Sequence, residues 1–261
     1  MAAIALCSIT GSPGVTTTAV GLALCWSRPT VLLEADPTGS SAILAGYLRG
    51  QLVPPDALIE LVVAHSQGRL RAQISQVILT LPNSQVSLIP GPRSHTQPGA
   101  LSGLWDPLLA ALKDLSSTGQ DTIIDLGRLG HEGSATPIVY GADLTLVVTG
   151  SDLVSLSGAR SRVSALRDQF GELGSSQTLG LVVVGPGRPY SAKEIGDVLQ
   201  LPVVATVPHE PKTAGAFSRG EQVRKLSNTA LVRSLRVAQS GIENVLVAHR
   251  SELADANGAR P

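Results

Sequence analysis

A chain of 261 residues with 43% hydrophobic residues has apolar material for one large α/β domain or two small ones. Its formal charge is zero, which excludes a polybasic coat for nucleic acid but leaves room for a local basic patch. Aromatics at 3% leave the core to Leu, Val, Ile and Ala, and the two cysteines, Cys7 and Cys25, lack metal spacing and read as small buried hydrophobes of a reducing compartment. The first predicted element is a buried strand over residues 4–9. A glycine loop over 10–15 and an apolar helical segment opened by Thr16, Thr17 and Thr18 follow it. A second strand, 30–33, ends at Glu34-Ala35-Asp36-Pro37, which puts a carboxylate at its tip. Helices are expected over 40–48 and 57–64, and residues 70–78 are amphipathic. Residues 86–89 form a short strand stopped by Pro90-Gly91-Pro92, and an irregular loop runs to Pro98.

The alternation then becomes regular. Leu101, Leu104, Trp105, Leu108, Leu112 and Leu115 recur at helical spacing. Residues 122–126 are a strand carrying Asp125, and 127–136 a loop. Strands follow at 144–149, 179–184 and 203–207. Between them lie helices at 156–170 and 192–199, and a last helix carries Leu231, Leu235, Ala238, Ile242 and Val245. This alternation predicts a mainly parallel twisted sheet with helices on both faces. One domain is expected over 1–250, and a flexible tail over 251–261. A parallel sheet binds its ligands beyond the C-terminal strand ends. The loop at Gly11, Asp36, the loop after Asp125, Gly185 and Pro208 all fall at that edge.

Strand, glycine loop and helix N-terminus make the layout of a phosphate-binding loop, where backbone N–H groups and the positive helix end face an anion. Gly11, Ser12, Pro13, Gly14, Val15, Thr16, Thr17 and Thr18 are the candidate phosphate contacts, yet this loop carries no lysine. TGSPGVTTTA (10–19) resembles the deviant Walker A loop of the ParA/MinD family of P-loop ATPases. VLLEADPTGSS (31–41) resembles that family's switch I strand, and DTIIDLGRLG (121–130) its Walker B and switch II segment. ADLTLVVTGSDLVSLSGA (142–159) and LPVVATVPHEPKTAGAFSRGEQV (201–223) are similar to its later strand–helix units. The resemblance covers about 4–247 and extends to the CpaE/TadZ pilus-localising branch, some members of which also have Thr at the Walker position.

The resemblance implies a P-loop NTPase architecture, ATP and Mg²⁺ as cofactors and a homodimer. It implies that Asp36 orients the attacking water and that Asp125, with a threonine hydroxyl, supports the metal. An ungapped alignment puts Thr17 in place of the Walker lysine and Thr18 at Mg²⁺. A loop one residue shorter puts Thr16 in place of the lysine and Thr17 at the metal. Ser12 or Gly11 stands where the family's second, signature lysine would be, and Glu34 replaces the first acid of switch I. Pro208 belongs to the base-side loop, whereas Gly185 stands where the family often has an Asn that reads the adenine edge. Arg128 in the switch II segment offers a guanidinium as a substitute cation.

These features predict a dimeric localisation or regulatory scaffold in the cytoplasm with a weakened ATP site. Its cargo would be a partition, secretion or pilus, or division complex. An active Mg-ATPase using Arg128 is the alternative. Arg219, Arg224, Lys225, Arg233 and Arg236 offer a further alternative, non-specific DNA contact. The polar C-terminus does not resemble MinD's membrane-targeting helix, so no membrane insertion is expected. His95, His131 and His209 lie on loops without ligand spacing and read as ordinary surface histidines, and no G-x-S-x-G is present.

Overall fold

The computed structural model describes residues 2–11, 13–38, 40–54, 56–114 and 119–258. Ser12, Leu115 and the last three residues of the expected tail lie outside that set. An eight-stranded sheet organises the chain, in the order β3-β4-β2-β5-β1-β6-β7-β8. The strands are β1 (Ala3–Ser8), β2 (Thr30–Glu34), β3 (Leu79–Thr80), β4 (Val86–Ile89), β5 (Asp121–Arg128), β6 (Leu144–Gly150), β7 (Leu179–Val184) and β8 (Val203–Val207). All neighbours pair in parallel except β3, which runs antiparallel along the edge of β4.

β1 lies between β5 and β6, and every one of its residues is buried. Its side chains alternate between two cores, as the period-two geometry of a strand requires. Ala3, Ala5 and Cys7 face one apolar cluster, and Ile4 and Leu6 face the other. Burial pushes the Cys7 thiol up to about 12, so this sulfur is an inert hydrophobe. The first cluster is covered by α2 (Ala57–Ser66), α3 (Leu70–Val77), α4 (Pro98–Leu101), α5 (Trp105–Asp114), α6 (Thr136–Gly141), α7 (Leu153–Glu172) and α8 (Ala192–Leu199). The second is covered by α1 (Val15–Cys25), α9 (Pro211–Ser218) and α10 (Ala230–Gly258).

The helix expected over 40–48 is a π-helical turn, Ile43–Tyr47. α6 starts at the end of the loop expected over 127–136, ahead of the strand expected over 144–149, and α9 follows β8 after Pro208-His209-Glu210. The backbone of α10 stays helical through Gly258, where a tail from residue 251 was expected. No helix among the described residues is long and apolar enough to cross a membrane.

At the N-terminal edge of the sheet, Asp121 is 1% exposed. It accepts hydrogen bonds from the Ala2 N–H at 2.7 Å, the Trp26 indole at 2.8 Å and Arg28 Nε at 2.7 Å. Arg28 also meets Glu243 on α10 at 3.1 Å. One carboxylate thus ties the start of β1, the end of α1 and α10 together, on the side of the sheet away from the glycine loop.

Candidate functional site

The C-terminal strand edge gathers the sequence-predicted residues around the turn between β1 and α1. Gly14 caps α1 with φ 95°, a left-handed conformation that favours glycine, and α1 begins at the next residue, Val15. In the phosphate-loop pattern the last glycine precedes the lysine, and Ser or Thr comes next. Aligned on Gly14, a register that neither alignment above used, the pattern puts its lysine at Val15 and its Ser or Thr at Thr16. Val15 is buried and apolar.

This register agrees with what the threonines touch. The Thr16 hydroxyl lies beside the Asp125 carboxyl. Thr16 and Thr17 line a cavity of about 530 Å³ with Asp36, Gly127, Arg128 and His131. Thr18, expected at the metal under an ungapped alignment, is instead buried; its N–H donates to Gly14 O at 2.8 Å. It lines a second cavity of about 460 Å³ with Pro13, Gly14, Ser151, Gly185, Pro208 and Glu210. Pro208 thus borders one cavity, Gly11, Asp36 and Arg128 the other, and Gly14 and Thr17 line both.

Three carboxylates converge behind the loop. Asp125 on β5 is fully buried and pairs in register with Glu34 on β2. Its Oδ1 accepts from the Gly127 N–H at 2.9 Å, and its Oδ2 is buried without a hydrogen-bond partner. Burial pushes its pKa up to about 7. The Thr16 hydroxyl and the Gly127 N–H oppose the rise, and the Glu34 and Asp36 charges add to it. Glu34 is also buried, and burial raises its pKa. Its carboxylate accepts from Ser41 Oγ, from the Ile43 N–H at 3.2 Å and from the Gly91 N–H at 3.0 Å. The residue at the first switch I acid therefore staples the π turn and the β4 loop to β2.

Asp36 is half-buried, and its Oδ1 accepts from the Thr38 N–H at 2.9 Å. It packs directly on Gly127, whose φ of 60° and lack of a Cβ permit the approach; a Cβ there would collide with Asp36 Oδ2.

The residues suit Mg²⁺ in one respect. The orphaned Asp125 Oδ2 beside a threonine hydroxyl is a donor pair that this cation uses together with ligand phosphates. Thr16, Asp125 and Asp36 would hold it. Among the described residues no group of three His, Cys, Asp or Glu forms a stand-alone metal cluster, so most of the coordination would come from ligand oxygens and water. The basic set expected for DNA, Arg219, Arg224, Lys225, Arg233 and Arg236, is exposed, with Arg219 ion-paired to Glu221 at 2.6 Å. Sequence reasoning missed Glu34 as a staple and Arg162 on α7, and it read His131 as unengaged.

No family model and no curated protein matches the chain. Solved structures do. The septum site-determining protein MinD of Pyrococcus horikoshii, complexed with Mg-ADP, aligns with TM-score 0.69 and 17% identity over 92% of this chain and 95% of its own. Cyanothece McdA as an ATP complex aligns with TM-score 0.68 and 21% identity over 93% and 96%. A ParA family ATPase from Chlorobium tepidum aligns with TM-score 0.65 and 15% identity over 92% and 97%. The mostly parallel eight-stranded sheet, the helices on both faces and these end-to-end superpositions give one conclusion: the chain has the P-loop α/β fold of the MinD and ParA ATPases.

Proposed function

We propose that this chain is a ParA/MinD-class positioning protein whose ATP site lacks both Walker A lysines. It acts as a dimeric intracellular scaffold for localisation, partition or assembly. The observation that carries the reading is Val15, buried and apolar, directly after the left-handed Gly14 at the start of α1. Without a lysine, the loop offers a phosphate only backbone N–H groups and the helix dipole, the latter worth ~0.3–1 kcal/mol at an ordinary helix end. Losing one preorganised charge stabiliser costs a phosphoryl-transfer site ~10²-fold or more in rate. Adenosine would sit in the cavity of about 460 Å³ between Gly14 and Pro208, and the phosphates toward Thr16 and Thr17. Two structural neighbours are solved as Mg-ADP and ATP complexes, which supports a nucleotide as the ligand class.

Titrating a fluorescent ATP analogue with and without Mg²⁺, alongside a phosphate-release assay, tests the reading. Weak, Mg²⁺-dependent binding and release near background are expected. Steady multiple turnover by the protein alone would refute it.

A second reading, an active Mg-ATPase, is favoured by Arg128, which lines the same cavity as Thr16, Thr17 and Asp36. It requires turnover that Asp36→Ala abolishes.

A further inference from the structure

Next to the Thr16 cavity, sharing Gly11, Arg128 and His131 with it, lies a third cavity, of about 430 Å³, also walled by Thr10 and Arg162. Its charge differs from that of its neighbours. The nucleoside-side cavity sets Arg188 against Asp152 and Glu210, and the Thr16 cavity sets Arg128 against Asp36. The third is lined by two arginines and no Asp or Glu.

Both guanidinium groups are held in place. Arg128 Nε donates to His131 Nε2 at 3.1 Å, with that ring nitrogen as the acceptor. Arg162 Nη1 donates to Leu129 O at 3.2 Å. The backbone is shaped around them. Gly130, at φ 93°, lies directly under the Arg162 guanidinium, and a Cβ there would be 3.0 Å from Cζ and 3.2 Å from Nη2. Gly158 on α7 lets the helix close on Thr10, whose Cγ2 would be 2.6 Å from an added Cβ. Thr10 Oγ1 fixes the contact by donating to Ser155 O at 3.1 Å. The glycine loop, the segment after β5 and α7 thus meet around two exposed arginines that form no ion pair among the described residues.

Planar guanidinium forks match tetrahedral oxyanions. We infer that this cavity binds a phosphate-class oxyanion, with Arg128 and Arg162 as its ligands and His131 positioning Arg128. Gly11, Arg128 and His131 also line the Thr16 cavity, so a nucleotide's terminal phosphate and free pyrophosphate both have access. The inference deepens the ATP-site reading by moving the charge partner into the adjoining cavity. It does not depend on that reading, since pyrophosphate needs no nucleoside cavity.

Calorimetric titration at low salt with pyrophosphate, ATP and adenosine tests it, on wild type, Arg128→Gln, Arg162→Gln and the double variant. These arginines are exposed, so the variants keep the fold. Pyrophosphate is expected to bind wild type, about tenfold weaker to each single variant, and adenosine equally to all. His131→Ala is expected to weaken pyrophosphate binding, and His131→Gln, which keeps an acceptor, to restore it. If ATP loses affinity in the double variant in step with pyrophosphate, the terminal phosphate is the natural occupant. If pyrophosphate binds through the arginines and ATP binds nowhere, the oxyanion site stands and the nucleotide reading falls. Pyrophosphate bound equally by wild type and the double variant, or no pyrophosphate binding to wild type, overturns the inference.

Discussion

From pH 5 to pH 8 the stability advantage of Asp125→Asn over wild type will grow by ~2 kcal/mol, because the change removes a buried carboxyl that wild type must ionise. The buried carboxyl has its folded pKa pushed up to about 7 from an ordinary 3.8. An acid raised in the folded state binds its proton more tightly there than in the unfolded chain. The native state therefore loses stability as pH climbs from about 4 to about 7, and the loss is constant above that. Glu34, raised by the same burial, acts in the same direction. Asparagine can still accept from the Gly127 N–H and carries no charge to desolvate, so its own contribution is flat with pH. Thermal melts across that range check this. The gap in Tm between variant and wild type should widen by several degrees toward pH 8; a gap that is constant or narrows contradicts the account. A carboxylate kept at such a cost, with one oxygen unpartnered, is typical of a site retained for binding rather than for folding.

Asp121→Ala will have the larger effect in the opposite direction, a loss of ~3–5 kcal/mol. The change strands the Ala2 N–H and the Trp26 indole N–H, both of which now donate to Asp121, beneath the sheet. It also releases Arg28 from the junction with α10. Arg28→Ala is the control. Its side chain is 41% exposed, so solvent screens the pair and the expected loss is ~1 kcal/mol or less. Chemical denaturation separates the two; equal losses would mean that the ion pair, and not the buried N–H groups, holds the corner.

Much of this architecture is legible in the sequence because its central strands are continuous apolar runs bounded by Gly, Pro and Asp. The sites at their C-terminal ends follow from strand order. α6 and α9 were not legible from periodicity, because each makes only about two turns or fewer; the available signal was a proline in the first turn of each, Pro137 and Pro211. β3 is a two-residue edge pairing with no pattern of its own.

The loop register was hidden for a different reason. Thr16, Thr17 and Thr18 are chemically identical in the sequence, and only the left-handed Gly14 decides which of them meets Asp125. Glu34 looked like a substituted switch acid because its partners, Ser41, Ile43 and Gly91, are up to 57 positions away. Arg162 was passed over because the periodicity that marks the helix at 156–170 lies in its apolar face, and Leu156, Ala159, Val163, Leu166 and Phe170 do pack into the core.

The most direct test of the central claim, that an apolar residue fills the lysine's place, is Mg-ATP affinity measured side by side for wild type, Val15→Lys and Thr17→Lys. A lysine stem can cover the apolar surface that Val15 covers while its ammonium reaches the loop. Val15→Lys is expected to bind at least about tenfold tighter than wild type, and Thr17→Lys to show no comparable gain. Tight binding by wild type that Val15→Lys weakens, or a gain confined to Thr17→Lys, would contradict the account.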